Sequence, residues 1–543
     1  MILSCALFLA MVPQGLPPVF VPPENPGTPE KVLLGKALFW DEQVSSTNTV
    51  ACGTCHIPSG GGGDPRSALE PLNSTNPGPD GLFGSADDRI GSRGVPWRLA
   101  DGRYVYDIDF ALAERVTRRK APSMIGAAYH TELFWDGRAS STFRDPVTDQ
   151  VVSYFDAALE AQALAPILSP VEMGHAGRTL ADVVSKLQAI EPLRLAESVP
   201  ADLAQFVDGK TYPELFDLAF PSSSTSFGPV EIAQALASYQ RTLIADDTPY
   251  DRWLAGDSGA FTGPEKRGHT VFQTEGQCAI CHMEPFTSDF QYHAIGVRPP
   301  AEDGGRQEVT GSFGDRGLFK TPGLRNLALR GRYFHDGSAE SVEEVIDFYV
   351  RGGDFAENQS PNLTPLNLNH AEASDLLAFL STGLLDPRVA DELPPFDRPR
   401  LFRESRTRTP RPFAFGTAGA AGEVPAITAI EPAFRGNPTF ALGLQHGAAF
   451  LPSFLAVDVT RDPGLGTVLF GATVHLGLGP ATTVTPTGAL ASDGRGGGWL
   501  SIVCPIPDSS ALTGASLFAQ WFVLDSSAPG GLAASAGLEV PVF

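Results

Sequence analysis

The sequence predicts helical domains, each built round its own cysteine motif, with a C-terminal antiparallel β-sandwich module after them. Three observations carry this. A Cys-x-x-Cys-His pentapeptide occurs twice, more than 200 residues apart. Helical apolar patterns lie before the first copy and on both sides of the second. Beyond about residue 420 the pattern changes to short β-type runs separated by Gly, Pro and Ser turns.

The two copies are Cys52-Gly53-Thr54-Cys55-His56 and Cys278-Ala279-Ile280-Cys281-His282. Thiols so spaced can each add across one vinyl group of a haem, and the histidine that follows ligates the iron from the proximal side. One copy alone is compatible with half a zinc site. A zinc site made from two Cys-x-x-Cys pairs spaces them about 15–20 residues apart, so copies this far apart each serve their own domain. The motifs predict two covalently bound haems c, attached at Cys52, Cys55, Cys278 and Cys281, with His56 and His282 as iron ligands. Zinc and bare disulfides are the alternatives.

At 543 residues the chain has room for about three domains. Its formal net charge of −23 argues against nucleic acid and anionic membrane surfaces as partners. It suits a basic redox partner, although solubility alone also explains it. Four of the six cysteines are spent in the motifs. Cys5 and Cys504 stand apart, so no disulfide framework is implied, and Cys504 reads as a small buried hydrophobe. Residues Ile2 to Val12 are an apolar run ahead of Pro13, resembling the core of a secretory signal, though no Lys or Arg precedes them. The run is too short to cross a bilayer as a helix. We read 1–20 as a signal segment, with no membrane span and a periplasmic or otherwise exported destination.

Residues 13–30 are proline-rich and read as extended. A helix follows from Pro29, through Val32, Leu33, Lys36 and Leu38-Phe39. Residues 59–105 are rich in Gly, Pro, Asn and Asp and read as a long surface insertion. Within them Asp80-Gly81 and Asp87-Asp88 do not fit the spacing of an EF-hand loop, so a solvated turn is preferred to calcium. Residues 228–245 form an amphipathic helix with Ile232, Leu236, Tyr239 and Leu243 on one stripe. Another starts at a candidate N-cap, Asn369, and runs through Leu376, Leu377 and Leu380. The Arg- and Pro-rich stretch 401–420 reads as a linker. Thr467–Leu476, Trp499–Val503 and Leu517–Leu524 are the strands expected of a sandwich over 421–543.

Several segments, in order from about 30 to 390, resemble the bacterial di-haem cytochrome c peroxidase family, which includes the MauG-type enzymes. They are Leu34-Gly35-Lys36-Ala37-Leu38-Phe39, Ala121-Pro122-Ser123, Phe134-Trp135-Asp136-Gly137-Arg138-Ala139 and Pro170-Val171-Glu172-Met173-Gly174. Phe319-Lys320-Thr321-Pro322, Leu324-Arg325-Asn326 and Tyr333-Phe334-His335-Asp336-Gly337 complete the set. The resemblance implies a mainly α fold of two cytochrome-c-like haem domains, here 28–225 and 226–400, with the N-terminal haem meeting peroxide. The tail beyond 410 lies outside it.

The resemblance also assigns roles. Glu172 is the group that moves a proton between the peroxide oxygens; a solvated loop carboxylate is the alternative. Gln162, ten residues earlier, is a candidate for hydrogen-bonding peroxide, against an ordinary helix surface. Trp135 resembles the family tryptophan between the haems and is a candidate electron relay, against a core tryptophan, while Asp136 and Arg138 fix its loop. Many members close the first haem with a distal His on the loop after the first motif. No His occurs between His56 and His130, so the first haem is expected open or water-bound. Where many members ligate the second haem with Met, this chain has Tyr349, as MauG-type enzymes do. A phenolate favours higher oxidation states of iron than a thioether; a core tyrosine is the alternative. Met283 follows His282 directly and cannot reach round its own haem. At the positions of the family's interdomain calcium stand Lys120, Arg330 and Arg332, a poor setting for a divalent ion, so calcium is doubtful.

The leading expectation is an exported di-haem peroxidase that takes hydrogen peroxide at the first haem. Its electrons come through the second haem from a small donor protein, a cytochrome c or cupredoxin. A MauG-like oxidase of a protein or organic substrate and a non-enzymatic di-haem electron carrier are the alternatives.

Overall fold

The computed structural model describes residues 15–221, 227–419 and 422–543. The apolar run Ile2–Val12 lies outside the described residues.

The first motif sits on a crossing of two helices. Thr28 caps the helix Pro29–Trp40, its Oγ1 accepting from the Lys31 amide at 3.2 Å, with Pro29 in the first turn. This helix packs on Pro229–Gln240, where a side chain at Gly35 would meet the Ala235 carbonyl at 1.9 Å. Only glycine permits that approach. Ile232, Leu236, Tyr239 and Leu243 are all buried, although the helix ends at Gln240 rather than 245. At its end Trp40 donates from Nε1 to the Tyr239 hydroxyl at 3.0 Å. The Trp40 ring covers Gly53, where a Cβ would fall 2.2 Å from ring carbons.

The second motif is built the same way. The helix Gly263–Gln273 leads to it and crosses His370–Ala378, where a Cβ on Gly268 would meet the Asp375 carbonyl at 1.9 Å. Asn369 is the N-cap, its Oδ1 accepting from the amides of Ala371 and Glu372. Leu376 and Leu380 are buried, the latter in a π-turn over Phe379–Gly383. Helices account for 28% of the chain, so "mainly α" overstates the fold. Long irregular connections hold the helices around the cavities described below.

Two antiparallel sheets form the C-terminal module. One orders its strands as Ala426–Thr428, Ala441–Ala448, Gly497–Val503 and Ala491–Ser492. The other runs Thr483–Ala489, Pro452–Asp458, Ser516–Leu524, Gly537–Pro541 and Arg411–Phe413, with Leu532–Ala534 also on Ser516–Leu524. Leu442 and Leu444 of the first meet Leu455, Trp521, Val523 and Val540 of the second in one core. The expected strand Thr467–Leu476 is instead a hairpin, Thr467–Leu469 with Ala472–Val474. Cys504 is half-buried against this core.

Two expectations are corrected. The stretch 401–420 is not a free linker. Leu401 and Phe402 are buried, the Phe402 amide donates to Glu42 at 2.5 Å, and Arg411–Phe413 is an edge strand paired with Gly537–Glu539. Nor is 59–105 simply a surface insertion. Arg93–Pro96 pairs with Glu114–Val116, and Tyr104, 1% exposed, docks into the sandwich, its amide donating to Ser501 Oγ at 2.9 Å. Arg98 forms a buried ion pair with Glu431 at 2.7 Å and also donates to the Ser46 carbonyl. A Gly- and Pro-rich composition marks missing periodicity, not exposure. The turn at 80–88 is closed by its own carboxylates, the Leu82 amide donating to Asp80 and the Gly84 amide to Asp88.

Candidate active site

Cys52–Cys55 is a single helical turn, closed where the Ala51 amide donates to Thr54 Oγ1 at 2.8 Å. The i, i+3 spacing sets both thiols on one side of the turn, and burial pushes each up to about 12. His56 Nδ1 lies 3.1 Å from the Gly62 carbonyl. A carbonyl only accepts, so Nδ1 carries the proton and Nε2 keeps a lone pair for a ligand. Cys52, Cys55 and His56 line a cavity of about 510 Å³, within the ~300–1,000 Å³ of cofactor sites.

Glu172 and Gln162 line the same cavity. Glu172 stands on a tight turn whose 173 and 174 amides both donate to the Ser169 carbonyl. Arg178 clamps this turn, donating to the carbonyls of Ile167, Met173 and Val44. From above, the strand at Gly94 presses so closely that a Cβ would meet the Val171 carbonyl at 1.9 Å. Burial raises the Glu172 carboxyl above its usual range, against a hydrogen bond from Ser169 and the Arg138 charge. A carboxyl so shifted suits general acid–base work. Gln162 lies in the helix Ala158–Ala163. His56 is the one histidine among the lining residues. His130 lies elsewhere, edge-on to Phe290 at 4.8 Å.

At the second motif Cys278–Ile280 forms a 3-10 turn, and His282 Nδ1 is 2.9 Å from the Thr287 carbonyl. The histidine is thus oriented as at the first site. Cys278, Cys281, His282 and Tyr349 line a second cavity of about 200 Å³. Tyr349 comes from the helix Val342–Arg351, capped by Ser341 Oγ. Burial first, then the two thiols, holds its phenol well above the usual range. Met283 is 52% exposed and is not in the cavity wall.

One wall is shared. Lys120, Ala121, Pro122, Ser123 and Trp135 line both cavities. Trp135 donates from Nε1 to the Lys120 carbonyl at 2.8 Å, and its ring meets His335 edge-on at 6.3 Å between centroids. Asp136 holds the loop by accepting from Arg119 at 2.6 Å and from Arg138. Across the boundary, Arg306 donates to the carbonyls of Asp136 and Gly137.

His335 was not singled out for a role in the sequence. It is buried, stacked on Phe319 at 3.6 Å, with Nε2 buried and unpartnered, and burial lowers it to about 4. The signal was an internal repeat. Phe134-Trp135-Asp136-Gly137-Arg138-Ala139 recurs 200 positions on as Phe334-His335-Asp336-Gly337-Ser338-Ala339. Both copies place the Phe and the Gly at positive φ, and both are closed by a bridge, Leu133 with Ala139 and Tyr333 with Ala339. Trp135 and His335 are therefore equivalent residues meeting at the boundary.

Arg330 donates to the Gly323 and Arg325 carbonyls, and Arg332 pairs with Glu340. Among the described residues the one close grouping of His, Cys and acid side chains is Cys281, Asp289 and His293, and Cys281 belongs to the motif. Twice, then, two thiols and a correctly oriented imidazole line a cavity, a donor set that fits haem.

A family model described as di-haem cytochrome c peroxidase matches residues 29–259. The chain is 33% identical over 367 residues to the methylamine utilization protein MauG of Methylorubrum extorquens, covering 67% of this chain and 81% of that one. It is 28% identical over 395 residues to the cytochrome c551 peroxidase of Nitrosomonas europaea, covering 72% and 88%. The crystal structure of a MauG-like protein associated with microbial copper homeostasis superposes with a TM-score of 0.50 at 27% identity, covering 71% of this chain and 97% of that one. The chain belongs to the di-haem cytochrome c peroxidase and MauG family, and is a di-haem peroxidase-type oxidoreductase.

Proposed function

We propose that the chain is an exported di-haem c-type peroxidase that reduces hydrogen peroxide at the first site. Haem c would be carried by Cys52 and Cys55 with His56 as ligand, and by Cys278 and Cys281 with His282 and Tyr349 as ligands. Haem supplies the iron at which the O–O bond is cleaved and the oxidising equivalents that result. The two haem domains, 28–225 and 226–400, are taken as cytochrome-c-like.

The chain's own part is proton and electron handling. Glu172 accepts a proton from the near oxygen of peroxide and returns it to the far one, which makes water the leaving group. Gln162 donates to the bound peroxide and orients it. Trp135, on the shared wall, passes electrons between the sites, and its loop is held from both sides by Arg119 and Arg306. The electrons come from a small donor protein, a cytochrome c or cupredoxin. Export is supported by the apolar run Ile2–Val12 and by the attachment chemistry; no helix among the described residues is long and apolar enough to cross a membrane.

The observation that carries the reading is a half-buried carboxyl, Glu172, in the wall of the cavity of His56, with no second histidine there among the described residues. A non-enzymatic electron carrier has no use for it. Stopped-flow mixing of the diferric protein with one equivalent of peroxide tests it. A rapid stoichiometric spectral change is expected; no reaction over minutes would reject a peroxidase.

A MauG-like oxidase of a protein or organic substrate is the second reading. Tyr349 in the second cavity favours it, because an anionic phenolate stabilises oxidised iron.

A further inference from the structure

Charged side chains are almost never fully buried unless paired, because an isolated ion loses its hydration and gains nothing in return. Lys120 is 4% exposed, yet among the described residues no acceptor or carboxylate pairs with its ammonium. Asp64 is an acid that acts on it, but both Asp64 oxygens are engaged by Arg66. The backbone of the residue is held in place. Its amide donates to the His335 carbonyl at 2.8 Å and its carbonyl accepts from Trp135 Nε1 at 2.8 Å. A side chain at Gly63 would press on the ammonium at 3.2 Å, so glycine keeps the space around it. Lys120 lines both cavities. Arg330, beside it, lines the second cavity with its Nε buried and unpartnered.

An anion is what such a pair of cations lacks, and a haem bound in either cavity brings carboxylates of its own. We infer that Lys120 is an anion-binding residue shared by the two sites, its ammonium taking the propionate of a haem in the first or second cavity. The inference rests on the haem reading above. Lys120 thereby supplies, from the chain itself, a fixed positive charge between the sites.

The sign of the effect follows. An ammonium on the propionate offsets negative charge at the haem edge. Removing it favours the more positive ferric state, so the midpoint potential falls. Spectroelectrochemical titration of the full-length protein reads this directly. Lys120→Met should keep both haems and shift the ferric/ferrous ratio of one about tenfold towards ferric, about 59 mV for a one-electron couple. Lys120→Arg, which restores the charge, should recover most of that shift, and a chelator should leave the wild type unmoved. The haem whose absorption band moves identifies whose propionate is held. Unmoved potentials in Lys120→Met overturn the inference, as does an equal shift in Lys120→Arg. Loss of haem from both variants assigns Lys120 to packing and also overturns it; loss from Lys120→Met alone supports it. Fewer than two haems in the wild type, counted first as the pyridine haemochrome, would instead fail the haem reading.

Discussion

The two cysteine motifs share a sequence pattern and a histidine orientation, but the protein surrounds them differently. At the first, Gly53 is buried under Trp40 and Thr54 is buried beside it in the turn, and the cavity is large, with Glu172 and Gln162 in its wall. At the second, Ile280 and Met283 are 48% and 52% exposed, and the cavity is small and faced by Tyr349. On the proposed reading, the large first cavity would leave room for a substrate beside the haem, and the exposed residues at the second motif would put that haem within reach of a donor. The difference teaches that the same motif orients a histidine in the same way twice, while the residues brought in from elsewhere make the two cavities unlike.

Glu172→Gln breaks the comparison most sharply. Loss of a positioned general acid–base should lower peroxide turnover about 10²–10⁴-fold, with the haem count unchanged; steady-state peroxide consumption measures it. A drop of less than threefold would make the first site no more chemical than the second. The pH profile carries the same point. Glu172 must begin as carboxylate, and burial raises its carboxyl. Turnover should therefore fall as pH drops through an apparent value above the usual carboxylate range, and Glu172→Gln should flatten that limb.

The first site also leans on the sandwich, because the hairpin 93–116 packs on the Glu172 turn at one end and carries Tyr104 into the sheets at the other. Tyr104→Ala, an aromatic-to-alanine truncation in a packed core, should cost about 3–5 kcal/mol and lower the thermal midpoint. An unchanged melting curve would detach the module from the site. Tyr349→Phe sharpens the comparison from the other side. The spectrum of the second haem should change while peroxide binding at the first persists; an unaltered spectrum excludes the phenol as a ligand. Trp135→Phe should give the smallest effect, a slower exchange of electrons between the sites in rapid-mixing experiments, with peroxide binding untouched.

What was legible in the sequence was local. Cys-x-x-Cys-His, the Asn369 cap and the strand Trp499–Val503 can all be read within a few residues, and the family resemblance singled out Glu172 and Tyr349, which line the two cavities. The rest depends on partners far apart in the chain. Tyr104 is buried because Ser501 and Ala441 receive it, and nothing near 104 announces them. Arg411–Phe413 reads as linker because a three-residue edge strand has no period of its own; its partner lies at 537–539. Lys120 read as unfavourable to calcium, but that it lines both cavities with no counter-ion among the described residues appears only in three dimensions. The equivalence of Trp135 and His335 was present in the sequence as a 200-residue repeat, hidden because the two residues themselves differ.

Electron paramagnetic resonance of the fully oxidised, full-length protein tests the division of labour most directly. The account predicts one high-spin ferric signal from the first site, open or water-bound, beside one low-spin signal from the second. Two low-spin bis-histidine signals would contradict it.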